Sequence, residues 1–156
     1  MGLIRILVDG YSLLHAWPEL APGKARHSEA ARDELVVVLA EHSKLCGTPI
    51  TVVFVGTGSG RGPGAQQAKG AGEVLYSRAD QTADDLIERA AHRFQPYGEV
   101  LVVTDDYAER DMVSFAGAMY QSCLGFIQSI ETELSEMRRE IKGRNFHERS
   151  QFKRSR

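Results

Sequence analysis

At 156 residues, 42% hydrophobic and close to neutral at a formal net charge of −2, the chain is the size of one globular domain and can build its core without staples. Its two cysteines, Cys46 and Cys123, lie far apart with no C-x-x-C spacing and no histidine cluster, which argues against a zinc or disulfide framework and fits a reducing cytoplasm. The apolar run at 3–8 is broken by Arg5 and falls well short of the roughly 20 residues that cross a bilayer, so no membrane partner is expected.

Residues 3–8 are aliphatic and β-branched and end at Asp9-Gly10, which reads as a buried strand feeding a loop. Residues 16–27 hold two prolines and one glycine and read as irregular. Ser28 offers an N-cap to a helix carrying Leu35, Val36, Leu39 and Leu45 at helical spacing, with Gly47 as its stop. Residues 50–55 predict the second strand, and the seven glycines of 56–72 predict no regular structure. A short third strand is expected at 73–77, followed by a helix capped by Thr82 and stopped by Pro96 and Gly98. Residues 100–103 form the fourth predicted strand, ending at Thr104-Asp105-Asp106, and a helix follows over 108–116.

A last helix from about Ser122 places Phe126, Ile127, Ile130, Leu134, Met137 and Ile141 on one face and is expected to end near Gly143. Short aliphatic strands alternating with helices imply right-handed crossovers and an α/β domain, a mainly parallel central sheet covered on both faces. Charge changes along the chain. Residues 1–137 hold 11 Lys/Arg against 19 Asp/Glu, whereas the remainder holds eight against two. The division predicted is a domain at 1–142 and a flexible basic tail at 143–156, in which Arg144, Lys153 and Arg154 are candidate RNA contacts.

In open parallel sheets the reactive site lies beyond the carboxyl ends of the strands. Asp9 follows the first predicted strand, Asp105 and Asp106 follow the fourth, and Asp84-Asp85 open the helix after the third. If the first and fourth strands are neighbours, Asp9 and Asp106 face one crevice. Taken singly, such residues are commonly turn, cap or helix-dipole carboxylates. Taken together, they would repel by about 4 kcal/mol per pair at 4 Å and an effective dielectric near 20, which invites a cation. Oxygen ligands without His or Cys select Mg²⁺ or Mn²⁺, the equipment of a metal-dependent phosphodiesterase.

The string Val8-Asp9-Gly10-Tyr11-Ser12-Leu13-Leu14-His15-Ala16-Trp17-Pro18 resembles the opening of the YacP-like NYN family of PIN-like ribonucleases. Thr82-Ala83-Asp84, with Ile87-Glu88 behind it, and Val103-Thr104-Asp105-Asp106-Tyr107-Ala108-Glu109 resemble two further blocks in the same order. The resemblance implies a PIN-like three-layer α/β/α fold, a Mg²⁺ or Mn²⁺ site, endonucleolytic cleavage of RNA and action on messenger RNA engaged by the ribosome. By position, Asp9, Asp84 and Asp106 take the acidic metal-site roles. Two positions depart from the family pattern: Ser12 stands where Asn is usual, and Val55 where Asp is usual. Ser12 can still hold a metal-bound water, and Asp85 and Asp105 are candidate outer or replacement ligands.

The glycine-rich stretch at 56–64 contains no P-loop, and its partial dinucleotide pattern is interrupted by Pro63, so a nicotinamide cofactor is not expected. Arg61 and Lys69 are candidate contacts to the RNA backbone, against the plainer reading of a solvated loop. Tyr11 and His15 could stack on unpaired bases or simply cover the core edge. Two rival functions are an RNA- or ribosome-binding module that has lost catalysis, favoured by Ser12 and Val55, and a small-molecule phosphohydrolase using the same acids.

Overall fold

A computed structural model describes residues 2–55, 66–69, 72–77, 82–115 and 117–154, by backbone alone at 66–69, 72, 113, 115 and 144–154. In chain order the elements are β1 (Leu3–Asp9), α1 (Gly10–Ala16), α2 (Glu29–Cys46), β2 (Ile50–Phe54), β3 (Gln66–Lys69) and β4 (Gly72–Tyr76). There follow α3 (Ala83–Phe94), a 3₁₀ turn (Gln95–Tyr97), β5 (Glu99–Val103), α4 (Tyr107–Phe115), β6 (Met119–Gln121) and α5 (Cys123–Arg154). Among the described residues no helix is long and apolar enough to cross a membrane.

Residues 1–126 form one compact unit. Its six-stranded sheet has the order β3-β4-β2-β1-β5-β6, parallel except for β3, which pairs antiparallel with β4 at the edge. The fold is therefore α/β with a mainly parallel sheet, as the alternation of strands and helices predicts, and it fits the PIN-like fold that the resemblance implies. One face of the sheet packs Leu7, Val53, Val100 and Val102 against Ala83, Ile87 and Ala91 of α3. The helices α1 and α2 contribute the buried Leu13, Leu14, Leu35 and Leu39. A buried leucine or isoleucine is worth about 1.5–3 kcal/mol, so this two-sided burial outweighs the weak intrinsic preference of the short strands.

The chain runs outward from β1 through β2 to β4 and then returns to lay β5 along the free side of β1. After a register shift between Leu3 and Arg5, β1 pairs with β5 so that Val8 lies opposite Val103, and on its other side Asp9 lies opposite Val53 of β2. The loops after β1 and β5 consequently open into one crevice at the carboxyl edge.

Several elements differ from expectation. No loop follows Asp9: α1 begins at Gly10, because Asp9 itself caps it, its carboxylate accepting from the Ser12 amide at 3.4 Å. Gly10 permits this abrupt entry, since a Cβ there would run into the ring of Phe54. The glycine-rich stretch includes β3 and the first residue of β4, stabilised by antiparallel pairing that no local signal announces. The three-residue β6 is likewise drawn in by β5. Residues 127–156 form the second unit, and there the helix expected to stop near Gly143 continues to Arg154. One interior glycine costs only about 1 kcal/mol, and no proline follows to enforce a stop.

Candidate metal centre

Each inner carboxylate owes its position to the way its element starts or stops. Asp9 is the last residue of β1, fixed by Ser12, whose hydroxyl donates to Oδ2 at 3.0 Å. Asp84 lies in the first turn of α3, behind a capping box in which the Asp85 amide donates to Thr82 Oγ1 at 3.1 Å and the Thr82 amide to Asp85 Oδ2 at 3.2 Å. Adjacent acids are thereby separated in role: Asp85 is exposed and caps the helix, while Asp84 is half-buried and turned to the crevice.

The third inner carboxylate is Glu109, on α4, and it is fully buried. Carboxyl oxygens of Asp9, Asp84 and Glu109 all lie within 4.8 Å of one another. Thr104, buried at the end of β5, places its hydroxyl 3.2 Å from Glu109 Oε2 and 3.4 Å from Asp9 Oδ2 while accepting from the Asp106 amide at 3.1 Å. That hydroxyl has one proton, so it serves one of the two carboxylates at a time. Among the described residues no donor reaches the buried Glu109 Oε1, so its carboxyl proton has the Asp84 and Asp9 carboxylates as partners.

Burial, and then the neighbouring carboxylates Asp84 and Asp9, push the Glu109 carboxyl up to about 10. Without a cation it is therefore a neutral acid near pH 7. A buried carboxyl held protonated by its burial and by its acidic neighbours, within an all-oxygen donor set, fits a hard divalent cation, which would neutralise the charges. The three acids are thus fit to hold such an ion.

Asp9 and Asp84 line an open cleft of about 590 Å³, with Glu109 buried beside them. Asp105 and Asp106 line its rim, and each already spends an oxygen on the backbone. Asp105 Oδ1 accepts from the Cys123 amide at 2.9 Å, and Asp106 Oδ1 accepts from the Ala108 amide at 2.9 Å. The predicted seam of β1 beside β5 is present, yet the residue it brings against Asp9 and Asp84 is Glu109, while Asp106 stays exposed at the rim. Glu109 stands within the third block quoted above, which assigns it no role. Its spacing three residues behind Asp106 is the signal that could have marked it.

Tyr11 and His15 also line the cleft. The Tyr11 ring is buried, edge-on to Phe54 at 5.2 Å, and its hydroxyl accepts from Arg32 at 3.1 Å, so it is a wall more than a free stacking face. His15 is exposed at the rim, 5.1 Å from the ring of His27. Val55, just beyond β2, presents an apolar side chain, 43% exposed, to the cleft. Arg61 lies outside the described residues. Lys69 is on β3, and Arg144, Lys153 and Arg154 are on α5, with side chains outside the described residues.

The chain matches the YacP-like NYN domain over residues 6–155. It is 31% identical over 138 residues to YacP of Bacillus subtilis (strain 168), covering 88% of this chain and 81% of that protein. Two crystal structures of Rae1 (YacP) from Bacillus subtilis are similar in fold. A point variant has a TM-score of 0.77 at 29% identity, covering 92% of this chain and 84% of that one. The other has a TM-score of 0.74 at 28% identity, covering 96% and 85%.

Proposed function

The chain belongs to the YacP-like NYN domain family, within which a nuclease-type, RNA-related function is general, and from that premise we propose that it is a Mg²⁺- or Mn²⁺-dependent endoribonuclease. Its proposed substrate is messenger RNA, engaged by the ribosome in the cytoplasm. The observation that carries the reading is the buried Glu109 beside Asp9 and Asp84, three carboxyl groups with oxygens within 4.8 Å of one another.

Asp9, Asp84 and Glu109 would hold the cation, which when bound supplies charge neutralisation at the phosphate and a more acidic attacking water. The chain's own residues do the positioning. Ser12 donates to both Asp9 oxygens, its amide to Oδ1 and its hydroxyl to Oδ2, and so fixes that carboxylate at the cleft. Thr104 ties the end of β5 to the same pair of acids. To hold the cation Glu109 would give up its carboxyl proton to solvent, so loading the site would release a proton. Asp106 at the rim is a candidate to orient water through the oxygen not engaged by Ala108. The loss of the family's usual Asp at Val55 leaves three carboxylates in reach. Residues 1–142 are assigned as the catalytic domain and 143–156 as a basic arm that contacts polyanion.

A second reading, a binding module on the same fold without catalysis, is favoured by the apolar Val55 on the cleft. Cleavage of end-labelled RNA, naked and ribosome-engaged, separates the two. The nuclease reading expects internal cuts that require Mg²⁺ or Mn²⁺ and fall at least about a hundredfold in Asp9→Asn and Glu109→Gln, the usual scale for losing a metal-site residue. RNA or ribosome binding without any cut, and without Mn²⁺ uptake, would establish the second reading.

A further inference from the structure

We propose that Tyr107, Arg110 and Tyr120 form a binding platform for an unpaired nucleotide of the RNA next to the cleft, taking its base by stacking and its phosphate by the Arg110 guanidinium. This rests on the reading of the acidic cleft as an RNA-cleaving site. Tyr107 is the first residue of α4, immediately after the rim residue Asp106, and its ring is 75% exposed. A tyrosine face is a suitable stacking surface for any base.

Arg110 lies one helical turn on, its guanidinium carbon 5.2 Å from the Tyr107 ring centroid and 4.0 Å from that of Tyr120 on β6. Contact with two rings orders the flat group, and among the described residues no side-chain hydrogen bond takes its N–H edges, which suits bidentate capture of a phosphate. Among the described residues, no carboxylate forms an ion pair with it. The setting makes a cation here informative: Asp105, Asp106 and Asp111 surround it in sequence, and an RNA strand approaching such an acidic edge needs a positive contact of its own.

Binding of a short unstructured oligoribonucleotide to the full chain, followed by fluorescence anisotropy with divalent cation withheld, tests the platform. Cleavage is then read with Mn²⁺ added. Tyr107→Ala and Arg110→Gln should each weaken binding about tenfold, the scale of one base stack or one charge-assisted contact. Tyr107→Phe, which keeps the ring, should bind like the unmodified chain. Arg110→Gln should also reduce the slope of log affinity against log salt by about 0.7, whereas Tyr107→Ala should leave that slope unchanged. Tyr97, 76% exposed at the amino end of β5, is the matched control, and Tyr97→Ala should have no effect. If cuts are made and are lost in Asp9→Asn while Tyr107→Ala and Arg110→Gln bind and cut normally, the platform is overturned and the nuclease reading stands. A chain that neither binds nor cuts RNA overturns both.

Discussion

Glu109 shows how one side chain can tie the site to the stability of the fold. Its carboxyl is raised to about 10 by burial and then by Asp84 and Asp9, against an ordinary value of 4.5. Between those values the native state keeps a proton that the unfolded chain releases, so the stability present below pH 4.5 declines as pH rises toward 10. The slope from this one group is at most about 1.4 kcal/mol per pH unit. Glu109→Gln removes the titration while keeping the shape. Urea unfolding at several pH values, without divalent cation, should therefore give a flatter profile for the variant than for the unmodified chain. A second residue-scale expectation concerns Ser12: Ser12→Ala deletes the 3.0 Å bond to Asp9 Oδ2 and should weaken Mn²⁺ binding about tenfold, as read by calorimetry, with little change in melting temperature.

Among the elements, α1 is the most sharply constrained. It starts directly from the β1 end because Gly10 lets the backbone pass against Phe54. Gly10→Ala should cost about 1–3 kcal/mol by overpacking and should also reduce cleavage, because Asp9 moves with the helix start. Thermal melts and cleavage rates read together check both halves of that expectation. Helix α5 gives the opposite case. A Cβ at Gly143 meets nothing within 4 Å, so Gly143→Ala should stabilise the helix locally by about 1 kcal/mol, seen as slower amide exchange around residue 143. These cases also mark what the chain's local pattern could reveal. Ser28, Gly47 and Thr82 acted as the expected caps and stop because capping involves residues three or four apart. The strands β3 and β6 were not legible, because each exists through pairing with a neighbour and carries little apolar pattern of its own.

For the molecule as a whole, charge and topology divide the labour. The acidic body holds the cleft, while the last stretch carries most of the basic excess. Removing residues 143–156 should leave the melting of the α/β unit nearly unchanged and should lower RNA affinity, with a shallower salt dependence of binding. The strands β1, β2, β4 and β5, the α/β class and the acidic strand ends were determined by the sequence alone, because apolar runs, caps and a carboxylate at a strand's end are local along the chain. Which acids meet was decided by tertiary structure. Asp9 and Asp84 come together only because β4 and α3 feed β5 back alongside β1, in a register set by residues far apart. Asp106, the expected partner, spends an oxygen on the start of α4, and the turn of that helix carries Glu109 inward instead. Its protonation, too, depends on burial by distant segments, a property that no pattern of neighbours along the chain encodes.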